Sequence, residues 1–365
     1  MGIVRTEESE RREIEELRRM LSACAAVVHR RKDDEDFKAT RLVSKDLDDD
    51  DDQQEKLVCV TSGVSFLGLA IVNRLLLRRY SVRIILDNQE DVEKLRELES
   101  SGEMRTCNNH VSVVTAKLTQ VEDLVQAFDG SRGVFHTSAF TDPAGLSGYS
   151  KSMAEIEVKA TENVIKACAR ASSVRNCVLT SSLLACIWRD GTQQDLSPVV
   201  NHDSWSDESL CINNKLWYAL GKLRSEKAAW TLAEESGLKL ATICPGLITG
   251  PDFIDRNPTA TIAYLKGAQE MYANGLMATV DVMRLAEAHV CVYEAMNKTA
   301  FGRYICFDRV IQIEDEAEKL AQEMGMPANK LCGDACDHIP SHFELSNKKL
   351  TSLMSRTLTS CYNQS

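Results

Sequence analysis

The chain has 365 residues, with 43 Lys+Arg against 54 Asp+Glu for a formal net charge of −11, and it is 44% hydrophobic and 27% charged. That length can bury one large α/β core or two small ones. The acidic balance argues against a nucleic-acid partner, whose phosphates need basic surface, and the apolar run LSACAAVV (21–28) is far shorter than the roughly 20 residues needed to span a bilayer.

Residues 1–55 read as an N-terminal extension. Ile14, Leu17, Leu21, Cys24 and Val28 fall at alternating spacings of three and four, which lays one apolar stripe along a short helix. DLDDDDD (46–52) follows, and its aspartates repel one another and bury nothing, so a solvated linker is expected. MGIVRT matches the M-G-x-x-x-[ST] acylation pattern at Gly2, but one acyl chain binds membranes only marginally, so no stable insertion is expected. MGIVRTEESE is acidic and lacks the basic start of a secretory signal.

From Lys56 on, strand-like and helix-like segments alternate. Strand 56–61 leads to apolar helix 66–79, strand 81–87 to charged helix 91–100, strand 110–116 to helix 121–130, and strand 133–139 to a long helix at about 150–172. NCVLTSS (176–182) is the next strand. Short connections of this kind predict a doubly wound parallel sheet, an α/β fold whose ligands sit outside the carboxyl ends of the strands. The later strands 238–244 and 301–307, with helix 258–267 between them, break the alternation and are expected in a smaller C-terminal substrate lobe formed mainly by 188–214 and 250–355. The thirteen cysteines include Cys59, Cys168, Cys177, Cys244 and Cys306 inside apparent strands and helices, where they suit a reduced cytoplasmic protein better than a disulfide framework. In CGDACDH, Cys332, Cys336 and His338 lack a recognisable fourth ligand, so no metal site is expected.

The first βα turn, LVCVTSGVSFLG (57–68), is where a dinucleotide's phosphates would meet backbone N–H groups and the helix dipole. Gly68 keeps the close helix–strand packing, while Ser62 and Ser65 stand where such turns place glycine. Gly63 is able to take up part of the turn, and a serine hydroxyl can itself donate to a phosphate. An ordinary tight βα turn is the alternative. Asp87 ends the second strand, where a carboxylate accepts from an adenosine ribose 2′-OH and repels a 2′-phosphate; it could instead cap the next helix.

KLWYALGKLRSEKAAW (215–230) carries the chemistry. Tyr218 and Lys222 are four apart, so on a helix their tips share a face. An adjacent ammonium is expected to lower the pKa of a phenol that otherwise titrates near 10. Thr180, Ser181 and Ser182 end the strand upstream, and a serine there would hold a substrate carbonyl oxygen during hydride addition.

With VTSGVSFLG, GVFHTSAFTDP, NCVLTSSLLA, LWYALGKLRSEKAAW, CPGLITGP and FELSNKKLTSLM, the chain resembles the plant cinnamoyl-CoA reductase-like proteins of the extended short-chain dehydrogenase/reductase family from Lys56 to about residue 355. The resemblance implies a Rossmann fold and a catalytic triad of Ser182, Tyr218 and Lys222. It implies cofactor contacts from Thr61, Ser62, Gly63, Ser65, Phe66, Leu67 and Gly68, from Thr137, Ser138 and Ala139, and from Pro245, Gly246, Leu247 and Ile248, besides Asp87, Tyr218 and Lys222. NADP is the implied cofactor, with NAD possible because Asp87 replaces an arginine that members use for the 2′-phosphate. The chain departs from N-W-Y-C-Y-G-K at Leu216, Ala219 and Leu220. Lys117 stands where an acidic residue meets adenine. The histidine that members carry three residues before a lysine is Ala263, with Lys266 retained. The implied activity is NAD(P)H-dependent reduction of a phenylpropanoid carbonyl, with a hydroxycinnamoyl-CoA thioester as small-molecule substrate. A catalytically weak relative acting by binding, or a dihydroflavonol-type ketone reductase, is the alternative. Oligomeric state does not follow from these features.

Overall fold

The computed structural model describes residues 56–105, 110–137, 149–189, 197–333 and 343–362. The expected N-terminal helix and the acylation pattern at Gly2 lie outside the described residues.

Helices of eight or more residues are labelled. The chain enters as β1 (Leu57–Thr61), α1 (Phe66–Leu77), β2 (Ser81–Leu86), α2 (Gln89–Ser100), β3 (Val111–Thr115), α3 (Val121–Phe128), β4 (Gly133–His136), α4 (Lys151–Arg170) and β5 (Asn176–Thr180). After the two-residue β6 (Val199–Val200) come α5 (Trp217–Ser236), β7 (Lys239–Pro245), β8 (Leu247–Thr249), α6 (Pro258–Leu265), β9 (Ala278–Asp281), α7 (Val282–Ala295) and β10 (Gly302–Cys306). The chain closes with β11 (Arg309–Val310), α8 (Glu314–Glu323), β12 (Glu344–Leu345) and α9 (Lys348–Tyr362).

Seven strands form one sheet in the order β10-β7-β5-β4-β1-β2-β3, and every pairing in it is parallel. Val58, Cys59, Val60, Val134, Phe135, Cys177 and Val178 are wholly buried. That is the burial expected of a sheet covered on both faces. α1 and α7 share one hydrophobic cluster with the sheet, and residues of α3, α4 and α5 fill the other. The order reverses between β1 and β4, so the crevice of this fold opens at their carboxyl ends.

The structure corrects the placing of two strands. β7 and β10 were expected in the smaller lobe, but they extend the main sheet, Gly302 pairing with Ala241 and Cys306 with Pro245. α7 is the reason. It returns the chain across the sheet and makes a right-length parallel crossover of what reads in sequence as broken alternation. What lies over the sheet edge is smaller: β11-β9-β8 and the pair β12-β6.

A buried ion pair joins these parts. Glu226 of α5 accepts from Arg303 Nε on β10 at 2.8 Å, from Ser181 Oγ at 2.7 Å and from Thr242 Oγ1 at 2.5 Å. Arg303 also donates to the carbonyls of His202 and Ser204 and lies 3.5 Å from the Trp205 ring centroid. Cys59, Cys168, Cys177, Cys244, Cys306 and Cys332 are free and buried, Cys332 Sγ bonding the Ala328 carbonyl at 3.2 Å. Cys336 and His338 lie outside the described residues. No helix among the described residues is long and apolar enough to cross a membrane.

Truncating one partner of a buried pair strands the other charge. Glu226→Ala is therefore expected to destabilise the protein by about 3–5 kcal/mol, measured by urea unfolding against wild type.

Candidate functional site

The carboxyl ends of β1, β4, β5 and β7 frame a narrow crevice with a cavity volume of about 50 Å³. Ser65, Phe66, Leu67, Thr137, Ser182, Tyr218, Lys222 and the run Pro245, Gly246, Leu247 and Ile248 line it. The expected catalytic trio and most of the expected cofactor contacts therefore meet at one place. Thr61 does not. It is wholly buried below the crevice, because its hydroxyl bonds His136 Nδ1 at 2.8 Å and Thr137 accepts it in turn at the backbone. Ser62, Gly63 and Gly68 support the turn without lining the crevice. Ser138 and Ala139 lie outside the described residues.

The turn works differently from its sequence reading. The left-handed residue is Ser62, at φ 51°, and not Gly63. Serine carries a Cβ into that region at a cost of about 1 kcal/mol. Gly68 is indispensable in the turn: a Cβ there would lie 2.1 Å from the Ser62 carbonyl oxygen. Ser65 is the N-cap of α1, its Oγ accepting from Gly68 N at 3.1 Å while its carbonyl takes Leu69 N at 2.9 Å. Among the described residues that leaves the Phe66 and Leu67 amides without a partner, on the crevice wall at the positive end of α1. With the Ser65 hydroxyl proton beside them, they are the donors a pyrophosphate needs. The residues present therefore fit a dinucleotide.

Asp87 neither caps α2 nor stands open. Asn88 is the cap, accepting from Asp91 N at 2.9 Å. Asp87 Oδ1 accepts from Leu118 N at 2.7 Å and so ties the end of β2 to the chain leaving β3. The nearby arginines are committed elsewhere: Arg83 donates to the Ala127 and Asp129 carbonyls, and Arg78 pairs with Glu287 and Glu294. Lys117 is exposed.

Three hydroxyls end β5, and the structure separates them. Thr180 Oγ1 bonds His289 Nε2 at 2.8 Å. His289 Nδ1 must donate to the Leu285 carbonyl, 2.8 Å away, so Nε2 is the acceptor and Thr180 gives its proton. Burial, only partly opposed by that backbone bond, depresses the imidazole to about 4 and keeps it neutral. Ser181 donates to Glu226. Ser182 Oγ only accepts, from Leu184 N at 3.2 Å, so its proton is available to a ligand.

On α5, Lys222 Nζ lies 5.5 Å from the Tyr218 ring centroid. Its ammonium pairs with Glu157 Oε1 of α4 at 2.6 Å, the two side chains 5% and 2% exposed. Tyr149 donates to Glu157 Oε2, and its ring meets that of Tyr218 edge-on, centroids 5.0 Å apart at 76°. Burial favours the neutral amine, but Glu157, with Tyr218 and Glu226 behind it, outweighs burial and holds the Lys222 ammonium above its ordinary range. The phenol is the correction: burial raises Tyr218, Lys222 lowers it, Glu157 raises it again, and the net direction is up. The lowering expected from Lys222 is present but is outweighed by burial, with Glu157 adding to the rise.

Sequence reasoning missed Glu157. The signal was there, since Glu157 falls on the apolar stripe of α4 with Ala154, Ala160, Thr161 and Val164, all buried. The substrate-side assignment also shifts. α6 and the residue before it turn Asn257, Ala260, Thr261 and Tyr264 to the crevice. Ala263 lies off that face, and Lys266 donates to the Lys215 carbonyl at 2.7 Å. Among the described residues none of 188–214 lines the crevice.

A doubly wound sheet with its crevice at this reversal defines the class, a Rossmann fold shared with reductases of the extended short-chain dehydrogenase/reductase type. The chain matches the model of the 3-beta hydroxysteroid dehydrogenase/isomerase family over residues 59–309 and belongs to that family, as an NAD(P)H-dependent oxidoreductase. It is 36% identical over 307 residues to cinnamoyl-CoA reductase 1 of Petunia hybrida, covering 82% of this chain and 86% of the relative. Vestitone reductase from alfalfa superposes with a TM-score of 0.57 at 25% identity, over 81% of this chain and 91% of that one. The yeast methylglyoxal/isovaleraldehyde reductase Gre2, solved with NADPH, shares the fold at a TM-score of 0.61 and 22% identity, over 82% and 93%.

Ser65 tests the turn. Ser65→Ala is expected to cost about 1 kcal/mol and Ser65→Gly only a few tenths, compared by thermal unfolding; equal losses would show that the hydroxyl does not cap α1.

Proposed function

We propose that the protein is an NADPH-dependent reductase of a phenylpropanoid carbonyl, converting a hydroxycinnamoyl-CoA thioester to its aldehyde. The observation that carries this reading is the convergence of the Ser182 hydroxyl, the Tyr218 phenol and the Lys222 ammonium on one crevice. The Phe66 and Leu67 amides and the Ser65 hydroxyl would hold the pyrophosphate, and the segment from Pro245 to Ile248 would flank the nicotinamide. A bound nicotinamide supplies hydride to the carbonyl carbon. Ser182 and Tyr218 donate to the carbonyl oxygen as its charge develops. Lys222 holds positive charge beside them and is within reach of a ribose hydroxyl. With a thioester, the same two donors hold the oxyanion until it collapses and the thiolate leaves with a proton. The reading carries with it lignin-type phenylpropanoid metabolism in the cytoplasm.

NADPH follows the precedent of Gre2. Asp87 is the residue that favours NADH as a competitor, because Oδ2 can accept from a 2′-OH and its charge repels a 2′-phosphate.

One observation favours a ketone in place of the thioester. Among the described lining residues only Lys222 is charged, and α6 presents Ala260, Thr261 and Tyr264. Among the described lining residues there is no second cation to meet the phosphates of CoA, and vestitone reductase is a structural neighbour. Turnover of a hydroxycinnamoyl-CoA against a dihydroflavonol-type ketone, each with NADPH, separates the two.

Tyr218→Phe removes only the acid. It is expected to lower kcat by at least about 100-fold while cofactor affinity stays within a few-fold; turnover within threefold of wild type would reject the assignment. Asp87→Arg replaces repulsion with a charge-assisted phosphate contact. The ratio of kcat/KM for NADPH over NADH is expected to rise, and an unchanged ratio would place Asp87 outside the ribose site.

A further inference from the structure

The Glu157 carboxylate does not line the crevice, yet both its oxygens are spent on groups that shape it. Oε1 takes the Lys222 ammonium at 2.6 Å, and Oε2 takes the hydroxyl of Tyr149, whose ring packs on Tyr218. A buried pair of this kind is no bargain for stability, since an apolar pair of similar volume commonly does as well. Its effect lies in charge and position.

We propose that Glu157 is a positioning residue for the reduction: it fixes the Lys222 ammonium and offsets its field at Tyr218, so the phenol keeps the proton it must deliver. The inference rests on the reductase reading above and deepens it. Reduction uses a phenol, not a phenolate. Burial favours the neutral phenol; an uncompensated ammonium beside Tyr218 works against it, whereas the carboxylate behind the ammonium sides with burial in keeping the proton in place. Among the described residues the titratable groups facing the pair include Tyr149 before α4, Tyr218 and Glu226 on α5, His136 at the end of β4, and Tyr264 on α6. His136 is depressed to about 3 by burial, then by Lys222, and adds no charge in the working range. Tyr264 is pushed far up by burial and stays a neutral phenol. Glu226 is held by Arg303. Glu157 is thus the carboxylate paired directly with Lys222.

The test is the full chain carrying Glu157→Gln, read in two ways. Activity in the reduction direction falls as pH rises through the Tyr218 titration. Removing the like charge lowers that titration, so the basic limb of kcat/KM is expected to move to lower pH by about one unit. Glu157→Asp, which keeps the charge, restores the wild-type limb. The second readout needs no turnover: the ultraviolet phenolate signal of the cofactor-free protein, taken as the difference from Tyr218→Phe, should move the same way. If wild type reduces no substrate, the functional reading fails and this titration still decides the role of Glu157. Profiles that coincide with wild type would overturn the proposal. Should Glu157→Gln not fold, Tyr149→Phe takes a hydrogen bond from Oε2 and concentrates its charge on the pair. Its phenolate titration is expected to move up, and no movement or a downward one would overturn the proposal.

Discussion

The site depends on the grip of one carboxylate. Glu226 sits one helical turn beyond Lys222 on α5 and binds side chains from β5, β7 and β10 at once. This anchors the inward face of α5, with Tyr218, Lys222 and Glu226 in a row, against the carboxyl ends of the central strands. Arg303 extends the anchor to the carbonyls of His202 and Ser204, so the strand pair at the sheet edge and the loop before α5 share the same charge pair. The same grip consumes Ser181 and leaves Ser182 as the hydroxyl turned to the crevice.

Around that anchor, burial and charge keep the Tyr218 phenol neutral, as the proposed reduction requires. A lysine beside a tyrosine normally suggests a stabilised phenolate, which suits a base. Here burial biases the site toward the neutral phenol, and a buried carboxylate that answers the lysine at 2.6 Å adds to that bias. A neutral phenol and a serine hydroxyl are both donors, and a carbonyl oxygen gaining charge wants two donors.

The phosphate turn shows how a motif's geometry outlasts its glycines. Ser62 takes the left-handed conformation itself, and Ser65 closes the first turn of α1 as a cap. Gly68 is sterically required, because the Ser62 carbonyl occupies the space of its Cβ. The chain keeps the two amides that matter and replaces backbone freedom with a side-chain hydrogen bond.

Periodicity determined much of this protein in advance. Buried runs such as LVCVT and NCVLT define parallel strands, and the four-residue spacing of Tyr218 and Lys222 places both on one helical face. Tertiary structure decided the rest, for a physical reason: the partners of a charge come from distant segments. Glu157 lies 65 positions from Lys222 and Arg303 lies 77 from Glu226. No local pattern records that Asp87 is tied to Leu118 or that β7 and β10 complete the main sheet. Spacing shows which side chains can meet within an element. Only packing shows how deeply they are buried and what opposes them, and the sign of the Tyr218 shift is set first by burial and then by the Glu157 charge.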